Sequence, residues 1–337
     1  MKKELFGKLP TGEEVYNYTI NNNDATLSVM NFGATIVNFK PFGVDIVAGF
    51  DEFDYYYADR SSHGGIVGRV ANRILNAELN IDGAIYMLTA NQLGNCLHGG
   101  QEGFVRRMWT LEAYDEKSLT FSYFSEDGEE GFPGGLLTKV KYSLQGATLI
   151  IEYEATPDKK TAINLTNHAF FNLDGFGDTI YDTKCRIYAD TYSEVNDRGT
   201  PSGVHPSVKG TVYDFTYPKR FGDGLTEGFS GHDRNYVLEP ESFKEFCGRS
   251  IGLCAEVWGK NLKMNYYTDQ EGCQLYLANH IGKAPGCPPF HGGQVQVPNG
   301  SYCFESQLEP NAVNHGRGIY DAGEVYRQLT VYEILKL

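Results

Sequence analysis

The sequence predicts an all-β protein, mostly antiparallel with few short helices, and three observations carry that prediction. Strand-like runs recur along the chain: ATLSVMNFGATIVNFKPF, LTFSYFS, LTKVKYSL, LIIEYEAT, CRIYADTYSEV, NLKMNYYTD, CQLYLANH and QLTVYEIL. Many alternate with period two, as a strand with one buried face does. Gly, Asn, Asp and Pro separate the runs, and the 39 glycines are spread out as turn punctuation. Helical periodicity is scarce; SFKEFCGRS, residues 242–250, is the best short candidate and reads equally as a loop.

No low-complexity linker, heptad, short internal repeat or composition shift divides the chain. Residues 1–337 are therefore expected to form a single domain, with two large sheets packed together. The 41% hydrophobic content is ample for the core this requires. Such an architecture places its site on a concave sheet face or at a mouth lined by loops.

The formal charge of −14 argues against a nucleic-acid or anionic-membrane partner, since both need positive potential. No apolar stretch approaches the length needed to cross a bilayer. The opening MKKELFGKLPTGEE has no apolar segment behind its lysines and does not read as a secretory signal. Seven cysteines, Cys96, Cys185, Cys247, Cys254, Cys273, Cys287 and Cys303, are scattered and contain no C-x-x-C pair. That pattern suits free thiols in a reducing compartment, so a cytoplasmic protein is expected.

One decapeptide departs from the strand pattern. NLTNHAFFNL, residues 164–173, sets Asn164, Thr166, His168, Phe170 and Asn172 on one side if it is extended. Asn and His are poor strand formers, and buried polar groups are costly unless paired. A polar row makes sense if it lines a concavity, and four other clusters could face it. GRVANRI (68–74) offers Asn72 and Arg73. NCLHGG (95–100) sets His98 before two glycines, which allow a chain to come close to a ligand. GHDRNYVL (231–238) offers Asp233. YCFESQLEPNAVNHG (302–316) embeds Glu305, which by alternation shares a face with Cys303 and Gln307. A surface ion pair, a solvated turn histidine, a local salt bridge and an edge-strand glutamate are the competing structural explanations. A partly desolvated glutamate would hold its proton more tightly, which suits a general base.

Other chemistries lack their signatures. The eight histidines show no H-E-x-x-H or other close ligand spacing, so no metal is expected. G-x-S-x-G, a Walker loop and a dinucleotide fingerprint are missing, which removes the usual hydrolase, nucleotide and NAD readings. The second HGG, within PFHGGQVQVPNG (289–300), reads as part of a Pro/Gly-rich loop insertion over 284–300 with no assigned role.

In order, GRVANRI, LHGG, EEGFPGG, NLTNHAFFNL, HDRNYVL, QLYLAN and FESQ…NAVNH resemble the galactose mutarotase (aldose 1-epimerase) family. The likeness runs from FGKLPTGEEVYNYTINN to GEVYRQLTVYEI, nearly the entire chain. The resemblance implies a galactose mutarotase-like β-supersandwich that interconverts α and β anomers of free hexoses, galactose or glucose, with no cofactor. By motif it implies His168 as general acid and Glu305 as general base, with Asn72, Arg73, His98, Asp233 and Gln274 binding the sugar. ESQ replaces the commoner ETQ, Arg234 stands where His is common, and LYLANH replaces a Tyr-Thr-Gly-Asn run. These departures leave the acid–base pair in place and bear on sugar preference.

Opening a cyclic hemiacetal requires a proton to leave the anomeric hydroxyl and one to reach the ring oxygen. A base on one atom and an acid on the other avoid a charged oxygen. On ordinary proton affinities His168 should begin protonated and Glu305 ionised. Two further readings share the fold. A hexose-6-phosphate 1-epimerase would need cations, for which Arg106, Arg107, Arg234 and Lys263 are available. A non-catalytic sugar-binding domain would need no matched acid and base.

Overall fold

Ten strands form one antiparallel sheet in the computed structural model, which describes residues 1–284 and 286–337. Across the sheet run Thr110–Tyr114, Ser118–Ser125, Leu136–Gln145, Thr148–Pro157, Tyr326–Lys336, Leu262–Thr268, Arg249–Trp258, Lys184–Ile187 and Lys219–Arg220. Glu241–Phe246 pairs with Arg249–Trp258 off that path. The last strand therefore sits mid-sheet, joining Thr148–Pro157 to Leu262–Thr268.

Period-two patterning does the sorting. Leu136–Gln145 alternates buried and exposed or half-buried along its whole length, as LTKVKYSL implies. Its inward residues Val140 and Tyr142 join Leu149, Ile151, Tyr332 and Ile334 in the main core. Two four-stranded sheets cover this inner face. One is a meander of Lys2–Lys8, Glu14–Asn21, Ala25–Met30 and Thr35–Pro41; the other is Thr191–Tyr192, Asp233–Val237, Gly272–Tyr276 and Cys303–Gln307. The expected pair of large sheets is thus one ten-stranded sheet faced by two smaller ones. Buried tyrosine hydroxyls tie the layers by hydrogen-bonding backbone across them: Tyr142 donates to the Ala34 carbonyl at 2.6 Å and Tyr332 to the Phe304 carbonyl at 3.1 Å.

Residues 242–250 are not helical. They form a hairpin from Glu241–Phe246 into Arg249–Trp258, turning at Cys247 and Gly248 with φ of 50° and 73°. Two successive positive φ values make a tight turn that matches strand twist, and Cys-Gly supplies it. The one α-helix among the described residues is Phe53–Ala58.

The NLTNHAFFNL stretch is only briefly a strand. Thr166–Asn167 pairs with Ile66–Val67, and beyond that only isolated bridges continue. The Asn167 amide explains why the ladder stops. Its Nδ2 donates to the Gly64 carbonyl at 2.7 Å and its Oδ1 accepts the Ala169 N–H at 3.0 Å, so a side chain takes up backbone groups that a continued ladder would use.

Candidate active site

Glu305 lies mid-strand in Cys303–Gln307, directly opposite Gln274 in Gly272–Tyr276. Gln274 in turn lies opposite Asn235 in Asp233–Val237, and its Nε2 donates to Asp233 Oδ1 at 2.5 Å. One sheet face thereby gathers Glu305, Gln274 and Asp233. His168 reaches the same place from the NLTNH segment, its backbone pinned by bonds to Gly64 and Gly65 of 2.9 and 3.0 Å. His168 Nε2 stands 3.6 Å from Glu305 Oε1, and His168 Nδ1 stands 3.6 Å from Cys303 Sγ.

His98 approaches edge-on, its ring 5.3 Å from that of His168. It is locked to Asn72: Asn72 N–H donates to His98 Nδ1 at 3.2 Å, and His98 N–H to the Asn72 carbonyl at 3.0 Å. Both residues have positive φ, 60° and 53°. The glycines after His98 serve the protein's own chain. Gly99 has φ of 84°, and a Cβ there would fall 1.9 Å from the Gly68 carbonyl oxygen. Glu130 of EEGFPGG holds the next turn by accepting the N–H groups of Gln101 and Glu102 at 3.1 and 3.0 Å. Arg73 is aimed by Gln92 Oε1, which its Nε contacts at 2.6 Å.

Asn72, Arg73, His98, His168, Asp233 and Glu305 all line one cavity of about 380 Å³. Gln274, on the same sheet face, is not among the lining residues and donates to Asp233, which is. A larger hollow of about 500 Å³ near Tyr181, Arg220 and Asn299 has no histidine in its lining, whereas the smaller cavity holds both His168 and Glu305. None of Arg106, Arg107, Arg234 and Lys263 lines the smaller one; Arg106 pairs with Glu102, Arg107 with Glu129 and Lys263 with Glu256.

The polar row is corrected by the structure. Of its five members only His168 and Phe170 line the cavity. Asn164 Oδ1 accepts the Leu308 N–H at 3.0 Å, and Asn172 bonds the Gly300 carbonyl and the Asp174 N–H. These two asparagines satisfy buried backbone. The lining also includes Tyr276, two positions beyond Gln274 on the same strand face, which alternation could have flagged. Gln92, Ser62 and Arg60 carried no local signal. His291 of the second HGG bonds Asp45 and the Phe50 carbonyl at 3.1 and 3.0 Å, anchoring the 284–300 segment. Pro285 of that segment lies outside the described residues.

Electrostatics reverse the expected resting charges. Burial, with His63 adding to it, brings His168 down to about 4. Burial, with Asp233 adding and Arg73 opposing, raises Glu305 to about 8. In the empty cavity near neutrality the pair therefore holds one proton, and it rests on Glu305. His63 lies behind Phe170, ring to ring at 4.4 Å, with Nδ1 3.0 Å from Asp59 Oδ2.

His98, His168 and Glu305 bring possible metal-binding atoms within 4.8 Å of one another, a cluster invisible in sequence spacing. The tautomer of His98 opposes ligation. Because Nδ1 accepts the Asn72 N–H, the neutral ring carries its proton on Nε2 and has no lone pair there for an ion. Nε2–H facing the cavity is instead a donor suited to a hydroxyl oxygen.

The sequence profile of the Aldose 1-epimerase family matches residues 16–333. The chain belongs to that family. It is 34% identical to galactose mutarotase of Rattus norvegicus over 98% of this chain and 97% of the relative. It is 31% identical to aldose 1-epimerase of Escherichia coli (strain K12), over 99% of each chain. Among solved structures, a GalM/aldose epimerase homologue from C. elegans superposes with a TM-score of 0.84 at 27% identity, covering 95% of this chain and 99% of that one. The galactose 1-epimerase of Lactobacillus acidophilus NCFM gives 0.87 at 24% identity over 99% and 98%, a likeness of fold. The family's fold, expected from the motifs, is the fold of this protein. No helix among the described residues is long and apolar enough to cross a membrane.

Proposed function

We propose that this protein is an aldose 1-epimerase acting on free aldohexoses, with His168 as general acid and Glu305 as general base. The observation that most supports the reading is the pair itself: Nε2 and Oε1 face each other at 3.6 Å in a sugar-sized cavity. Arg73, His98 and Asp233 around it offer donors and an acceptor for the remaining hydroxyls. Relatives named galactose mutarotase and aldose 1-epimerase agree with this chemistry.

In the reacting complex Glu305 takes the proton of the C1 hydroxyl while His168 gives its Nε2 proton to the ring oxygen. The C1–O5 bond breaks with its electron pair going to O5, and C1 becomes a carbonyl. Rotation about C1–C2 presents the other face. O5 then attacks C1, returning its proton to His168 as Glu305 returns its proton to the carbonyl oxygen. In the open-chain interval Glu305 is protonated and His168 neutral, the distribution that burial favours. The cavity is thus biased toward the intermediate, and the cyclic sugar must draw the single proton from Glu305 to His168. Two cooperating groups of this kind each contribute about 10²- to 10⁴-fold.

Seven free cysteines favour a reducing, cytoplasmic setting. The mid-sheet position of Tyr326–Lys336, bonded to strands from both halves of the chain, favours residues 1–337 acting as one domain. The decisive experiment follows the optical rotation of fresh α-galactose or α-glucose with wild type, His168→Asn and Glu305→Gln. Loss of about 10²-fold or more in each variant is expected; near-full activity in either overturns the assignment. Glucose 6-phosphate in the same assay should turn over more slowly than glucose, since Arg106, Arg107, Arg234 and Lys263 lie off the cavity and the two arginines that line it, Arg60 and Arg73, are already engaged by Glu102 and Gln92.

A further inference from the structure

We propose that Cys303 is the positioning residue for His168: its sulfur accepts the Nδ1–H of the imidazole and so keeps Nε2 as the only nitrogen that exchanges a proton. The inference rests on His168 being the acid of the proposed reaction, whereas the tautomer it assigns can be observed without any sugar.

Both side chains are buried, and Cys303 Sγ to His168 Nδ1 is 3.6 Å, within range of a hydrogen bond to sulfur. Among the described residues this is the one thiol whose sulfur faces an imidazole nitrogen; those of Cys254, Cys273 and Cys287 face backbone carbonyls. Cys303 and Glu305 point to the same face of one strand, so a single backbone sets both distances to the imidazole. The other neighbours of the ring are His98 edge-on at 5.3 Å, Phe170 at 4.9 Å and Tyr276 at 6.5 Å, measured between ring centroids. None of these rings hydrogen-bonds Nδ1; the remaining acceptor beside the imidazole is the backbone of His168 itself, which raises its proton affinity. The titratable groups around the ring are Glu305 and His98 at the cavity, with His63 and its partner Asp59 behind Phe170.

The reaction requires this partner. Ring opening takes the proton from Nε2, and closure returns it to Nε2. Both steps use one nitrogen only if Nδ1 keeps its own proton throughout. Were Nδ1 bare, the neutral ring would hold its proton on Nε2 and could not take one back. In serine proteases a carboxylate fixes the tautomer, and it also stabilises the imidazolium. A neutral thiol orients the ring without that second effect, because sulfur is a weak acceptor. Burial and the nearby Glu305 push the Cys303 thiol well above its ordinary value, so it stays a thiol. A weakly basic imidazole is the better acid, and Cys303 leaves it weakly basic.

The test is nitrogen NMR on histidine-labelled protein near neutral pH, with no sugar present. Wild type is expected to show His168 protonated on Nδ1 with Nε2 bare, and Cys303→Ala to show a mixture of tautomers or the reverse one. Kinetically, Cys303→Ala should lower kcat roughly 10-fold with KM little changed. That is far below the ~10⁴-fold cost of losing a carboxylate-held tautomer. Cys303→Ser, which keeps a rotatable donor and acceptor, should recover most of the loss. A wild-type His168 carrying its proton on Nε2, or a folded Cys303→Ala with unchanged kcat, overturns the proposal. If His168→Asn stays active while wild type shows the Nδ1–H form, the functional reading fails and the tautomer assignment stands.

Discussion

Asn72 and His98 hold each other by two hydrogen bonds, one of which ends on the imidazole Nδ1. The second nitrogen is thereby fixed as a donor into the cavity. Replacing His98 by Ala removes one neutral hydrogen bond to a hydroxyl, worth about 1 kcal/mol net. KM for galactose or glucose is expected to rise roughly 3- to 10-fold, with kcat falling less. Progress curves by polarimetry check this; a fall in kcat alone would place His98 in the chemistry instead.

The acid–base pair carries one proton between about 4, where His168 titrates, and about 8, where Glu305 titrates. Below that window both groups are protonated and no base remains. Above it both are deprotonated and no acid remains. The pH profile of kcat/KM should therefore be bell-shaped with limbs near those two values, belonging to the pair as a unit. Activity that stays level as the pH passes well beyond 8 contradicts the raised affinity of Glu305.

Glu305→Gln should stabilise the protein while abolishing turnover. A carboxyl whose folded-state value is about 8, above its ordinary 4.5, binds its proton more tightly when folded. The stability it contributes is present below 4.5 and is lost as pH rises through 8. Glutamine escapes that loss. The gain in denaturant unfolding should be a few kcal/mol at pH values near 8, with a ceiling of about 5, and vanish on acidification. A variant less stable than wild type at alkaline pH refutes this account.

His63→Gln removes a neighbour that lowers His168 and leaves Asp59, which raises it. His168 should then hold its proton more tightly, moving the acid limb of the pH profile upward while the Glu305 limb stays. The same rate measurements across pH detect it, and an unmoved acid limb would show that burial alone sets His168.

Much of the architecture was legible locally. The alternation of Leu136–Gln145 survives intact because a strand's side-chain period is a property of the backbone. Cys303 and Glu305 were assigned one face by the same rule, and both now face His168. Residues 242–250 were misread because a Cys-Gly turn can be recognised only once its flanks are known to pair. The polar row failed for a related reason: the Asn167 side chain bonds the backbone of Gly64 and Ala169, so strict alternation does not extend through the segment. Gln274 is matched to a sugar-binding position by motif alone, and only the folded sheet shows that it donates to Asp233.

By itself the sequence determined which chemical groups exist and in what local rhythm: an all-β chain, a histidine, a glutamate and the polar residues of a recognisable family. Tertiary structure alone decided which nitrogen of each histidine faces the cavity and on which member of the acid–base pair the proton rests. Proton affinity depends on burial and on charges contributed by distant strands, and neither exists until the sheets have packed.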